Sequence, residues 1–184
     1  MVTAAIGTET SRLTLALEDS LQSLARLHTA AERMHLGSRG GHPGIETFSG
    51  AELVRLAGVI RESASSLTRR LKELGHPAAG MESQLAKLWR VGVKSGLSEP
   101  REGEATPTPQ RDTAVRPRSL VANYRAASRA LCAALEEAKQ ADDRTTAVLL
   151  STVLHRLEKQ LWLLDSSRER PRIGLPLINL FLSC

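Results

Sequence analysis

Apolar residues recur at three- and four-residue steps along four long stretches of this chain, the period of an α-helix that buries one face. From about Thr10 to Met34 the stripe is Leu13, Leu17, Leu21, Leu24, Leu27, Ala31 and Met34. A second stretch opens at Ser49 with Glu52 three residues on. That is the capping-box spacing, in which two side chains satisfy orphan amides reciprocally. Its stripe is Leu53, Leu56, Ala57, Ile60, Ala64, Leu67, Leu71 and Leu74. Gly75 then offers a left-handed end, and Pro77 prevents continuation. A third stretch starts near Ser119 and aligns Leu120, Tyr124, Ala127, Leu131, Ala134, Leu135 and Ala138. After an Asp142-Asp143 turn, the fourth aligns Leu150, Val153, Leu154, Leu157, Leu161 and Leu164.

The segments between these stretches set the connectivity. A glycine-rich run, Leu36 to Gly44, reads as a loop between the first two helices. It precedes a helix without following a strand, so turn geometry explains its glycines better than phosphate binding. A shorter helix is predicted from Glu82 to about Val93. From Lys94 to Pro117 the chain is rich in Pro, Thr and charge and has no usable period. So long a structureless connection is uncommon inside a domain. A four-helix bundle with one long crossover between its second and third helices accounts for it.

Composition narrows the class further. Aromatics make up 3% of the 184 residues, so Leu, Ala and Val must fill the core. Leu and Ala suit closely packed helices, strands want β-branched and aromatic residues, and no hairpin signal of any strength occurs. The expected fold is therefore all-α, one domain over residues 10–166 with the crossover at about 94–117. Residues 1–9 and 167–184 are read as tails. No run approaches the roughly 18 apolar residues of a membrane span. The N-terminus lacks the basic start and apolar run of a secretion signal. Two cysteines, Cys132 within a helix and Cys184 at the end, make no disulfide framework. A reduced, cytoplasmic protein is the expectation.

The fourth stretch also carries a resemblance. Its acidic turn at Asp142-Asp143, a Thr, and the ending Glu158-Lys159-Gln-Leu-Trp162 closely resemble the last bundle helix of the Dps-type ferritins, the starvation-induced DNA-protection family. Arg70 and Leu74-Gly75 match that family's second-helix frame. The resemblance implies a ferritin-like bundle, a closed homo-oligomer, and at the extreme a dodecameric shell. The net charge of +5 would then repeat to roughly +60 per particle, a strong attractant for polyanions.

In that family iron is held between subunits by a first-helix His and by an Asp and a Glu four residues apart on the second helix. Oxygen and imidazole ligands suit Fe(II), and one helical turn puts both carboxylates on one face. In this chain Ser65 and Arg69 stand at the two carboxylate positions, and Met34-His35-Leu36-Gly37 offers one His and no Trp. Arg has only donors and repels a cation, so the inherited ferroxidase centre is expected to be missing. No catalytic residue is assigned, and no cofactor is expected. If a rearranged iron site exists, its ligands are Glu32 and His35, at i, i+3 spacing, with Glu62 on the neighbouring helix. The only other such pair, Glu73 to His76, straddles the helix-ending Gly75.

Positive charge collects in three places. Arg69, Arg70 and Lys72 read as a solvated face. Arg111, Arg116 and Arg118 lie in the crossover, and Arg168, Arg170 and Arg172 follow the last helix. Arg116, Arg118, Arg168, Arg170 and Arg172 are the candidate phosphate contacts. Residues 173–184 then turn apolar, and an exposed run of that kind is an aggregation liability. It is expected to dock on its own bundle, on a neighbouring subunit or on a separate protein partner. Trp89 and Trp162 are expected at bundle or subunit contacts. Three functions follow: a Dps-like oligomer protecting DNA without oxidising iron, an iron oxidase and store with a rearranged site, or a helical module docking a partner through its tail.

Overall fold

A computed structural model describes residues 3–39, 50–76, 86 and 117–166, and it is helical wherever it is regular. The helices are α1 (Thr3–Arg39), α2 (Gly50–Glu73), α3 (Pro117–Gln140) and α4 (Arg144–Ser166). Every residue of the predicted stripes is buried except Leu74, which packs half-buried against the same core. Leu13, Leu17, Leu21, Leu24 and Leu27 of α1 face Leu53, Leu56, Ile60, Leu67 and Leu71 of α2 and the Leu/Ala stripes of α3 and α4 in one cluster. Small alanines at Ala31, Ala64, Ala127, Ala134 and Ala138 let the backbones approach closely, which compensates for the shortage of aromatic volume.

The helices form a ring in which α1 touches α2 and α3, and α4 touches α2 and α3. Named contacts fix the directions. Arg70, near the end of α2, bonds Asp143 and Thr146 at the start of α4, and Glu62 bonds Arg156 further along. The two helices are therefore antiparallel. Glu18 of α1 meets His76 just past α2, and His35 lies against Gly50, so α1 and α2 are antiparallel too. A tight turn joins α3 to α4. It follows that α2 and α3 run parallel on a diagonal of the ring. The helix ends that residues 77–116 must join therefore lie at opposite ends of the bundle, roughly 36 Å apart for 24-residue helices. The crossover expected at about 94–117 lies outside the described residues.

Helix ends depart from expectation in informative ways. α1 starts at Thr3 and reaches Arg39, beyond both ends of its apolar stripe, so the residues from Leu36 to Arg39 are helical and not loop. Periodicity marks only the part of a helix that has a core to face. α2 begins at Gly50; Ser49 lies outside the described residues, and Glu52 bonds Arg55 on its own helix. Gly75 does end α2 in a left-handed conformation, φ 80°. The Gly75 amide donates to the Lys72 carbonyl and the His76 amide to that of Leu71, the paired bonds of a Schellman motif. α3 begins at Pro117, where a missing N–H costs nothing. Of the predicted helix from Glu82 to Val93 only Ala86 is described, and it is helical.

Candidate functional site

The α3–α4 turn repeats the Schellman pattern without a glycine. The Asp142 amide donates to Lys139 O and the Asp143 amide to Ala138 O, and Asp142 itself takes φ 51°. Asp143 then serves as the cap of α4. Its carboxylate accepts the Thr146 amide at 3.0 Å and the Thr146 hydroxyl at 2.5 Å. The same carboxylate accepts both bonds from one Arg70 nitrogen, at 2.9 and 3.1 Å. Arg70 also donates to Thr146 Oγ1 at 2.8 Å and to Glu73 at 2.8 Å. Burial alone would raise the Asp143 carboxyl, but the Thr146 and Arg70 bonds and the Arg70 charge hold it below its usual value. Arg70 is thus a clamp between α2 and the start of α4, not part of a solvated face. The acidic turn and the second-helix Arg, read separately in the sequence, are two halves of one contact.

A second polar group lies at mid-bundle. His28 is 1% exposed on α1, with Nε2 3.6 Å from Glu32 and the Arg61 guanidinium of α2 nearby. Burial first, and then Arg61, push its imidazole down to about 4. His28 is therefore neutral near pH 7, and its contact with Glu32 is not an ion pair at that pH. Burial raises Glu32, with Arg61 partly opposing. In the sequence, the signal for His28 is its place on the buried face beside Leu24, Leu27 and Ala31.

The proposed metal ligands point to different tasks. Glu32 lies against His28, Glu62 bonds Arg156 of α4 at 2.9 Å, and His35 sits against Gly50. Among the described residues no group of three or more His, Cys, Asp or Glu converges as a metal site would. Ser65 and Arg69 are both exposed on the outer face of α2, and the Ser65 hydroxyl bonds back to the Arg61 carbonyl. Any shared site there would need a second subunit to close it.

Of the candidate phosphate contacts, Arg118 lies in the first turn of α3, whereas Arg116, Arg168, Arg170 and Arg172 lie outside the described residues. So do Trp89 and the apolar residues 173–184. Trp162 is 61% exposed and so is not part of the bundle core. Cys132 is disulfide-bonded, whereas a reduced protein was expected; Cys184 lies outside the described residues. Among the described residues no helix is long and apolar enough to cross a membrane.

The fold and these groups define a four-helix bundle with a Leu/Ala core and a polar clamp at one end. No protein-family model, curated protein or solved structure matches the chain.

Proposed function

We propose that this protein is a Dps-like bundle of the ferritin superfamily that assembles into a homo-oligomer and protects DNA electrostatically without oxidising iron. The observation that carries the reading is the Arg70–Asp143–Thr146 clamp. It joins the two segments on which the family resemblance rests, and it does so in a ring whose second and third helices run parallel across a diagonal. One long crossover is the connectivity of a ferritin bundle. Ser65 and Arg69, at the positions where the family places its two carboxylates, leave a hydroxyl and a guanidinium on an exposed face, which suits contact between subunits better than a cation.

Light scattering on the purified chain tests assembly: a closed oligomer larger than a dimer is expected, and a monomer would remove the shell. Fe(II) oxidation should not exceed a protein-free blank. Saturable oxidation that Glu32→Ala abolishes would favour the rearranged iron site instead. Retardation of DNA should be present at low salt and collapse as salt rises.

A further inference from the structure

The charges of the bundle are not spread evenly. Three contacts mark one level of it: His28 beside Arg61, Glu62 bonded to Arg156, and Glu158 beside Tyr124. On α1, Arg26 and Arg33 lie on either side of that level; on α3, Arg125 and Arg129 follow Tyr124 within about a turn and a half. All four are exposed, and none has an ion pair or hydrogen bond among the described residues. Of the acids on these two helices, Asp19 and Glu137 have no side-chain partner among the described residues, while others are engaged. Glu32 turns toward His28, and Glu136 bonds Lys139.

We infer that Arg26 and Arg33 of α1 with Arg125 and Arg129 of α3 form a phosphate-binding surface for duplex nucleic acid, on the α1–α3 side of the bundle. This rests on the polyanion-binding part of the reading above but moves the contact from the basic tails to the helices. Arg26 and Arg33 lie two turns apart, about 10 Å, and Arg125 and Arg129 one turn apart, about 6 Å. Two rows of guanidinium groups on adjacent ridges suit the backbone of a duplex, where arginine binds phosphate bidentately without reading sequence. A bilayer surface fits less well. An interfacial helix sets its basic residues beside a large apolar face, whereas the non-core positions between these arginines are Thr29, Glu32, Ala126 and Ser128.

The test is fluorescence anisotropy of a labelled DNA duplex with the full chain across a salt series. Replacing all four (R26Q, R33Q, R125Q and R129Q) should weaken binding by at least about a hundredfold at moderate salt. It should also flatten the plot of log affinity against log salt by roughly three to four units, one per lost phosphate contact. A variant of paired arginines, R55Q with R156Q, should change neither. Should the quadruple variant lose helicity, R26Q with R129Q decides by the same criterion, with a loss of about two units. Wild-type affinity in the quadruple variant, with binding abolished by removing residues 167–184, would place the phosphates on the tail and overturn this surface while leaving the DNA-protection reading standing. No duplex binding by the wild-type chain would end both. Loss of binding to phosphatidylserine vesicles alone, with DNA affinity unchanged, would also overturn it.

Discussion

The two sides of the bundle use the same residue type in opposite ways. On the α2–α4 side most arginines are spent on the protein itself: Arg55 on Glu52, Arg70 on Glu73 and Asp143, Arg156 on Glu62. Arg61 and Arg69 are the exceptions there, both exposed with no ion pair or side-chain hydrogen bond among the described residues. On the α1–α3 side Arg26, Arg33, Arg125 and Arg129 stand exposed with no partner among the described residues. A net charge of +5 conveys none of this. What an approaching polyanion meets is the charge left over after internal pairing, and that depends on which helix lies beside which.

The sharpest way to break the comparison is to exchange roles by mutation. Arg70→Met removes a half-buried guanidinium and leaves the Asp143 carboxylate with only Thr146. A loss of about 3 kcal/mol in urea unfolding is expected, because one partner of a shielded pair is left uncompensated. Duplex affinity should be unchanged. Arg129→Ala should do the reverse, shifting stability by less than about 0.5 kcal/mol and weakening duplex binding. If both variants move stability equally, the two sides do not differ in kind.

The fold was legible in the sequence because its signal is redundant. Four stripes each repeat the helical period many times, and a Leu/Ala core offers nothing else to confuse it with. The Schellman end at Gly75 was legible for a local reason, since only glycine takes that backbone freely. The site was less legible. Arg70 reads as one of three basic neighbours until Asp143, 73 residues away, is placed beside it. Nothing in the spacing of α1 and α3 says that these two helices, with their exposed arginines, lie side by side, because long-range packing leaves no mark on either segment alone. The left-handed Asp142 was hidden as well, because aspartate adopts that conformation only when its neighbours impose it.

A pH titration separates the seam between the two sides from the clamp. His28 sits where α1 meets α2, and its imidazole titrates lower in the fold, at about 4, than in the unfolded chain, near 6.5. The unfolded state therefore binds the proton first as pH falls. Stability is full above about 6.5 and declines through the interval down to about 4, by on the order of 3 kcal/mol. Glu32, whose carboxyl is raised, offsets part of this, since its neutral form is favoured in the fold. Asp143, whose carboxyl is depressed, adds its loss only in stronger acid. In His28→Leu the decline between pH 6.5 and 4 should vanish while the Asp143 loss remains. An unaltered decline would put the acid-labile group elsewhere.

The smallest effect concerns the turn that aims Asp143 at Arg70. Asp142 holds φ 51° at the position where α2 uses Gly75, and a non-glycine residue there costs roughly 1 kcal/mol. Its side chain, 90% exposed, makes only a 3.8 Å contact with Arg144. Asp142→Gly relieves the strain and loses little, although the freer unfolded chain offsets part of the gain. A net stabilisation of about 0.5 kcal/mol is expected from the urea midpoint, with an unchanged denaturant slope. In an Arg70→Met background the gain should persist, because it arises from the backbone. A gain that vanishes there would mean that the left-handed turn serves chiefly to present Asp143, and that strain and clamp form a single device.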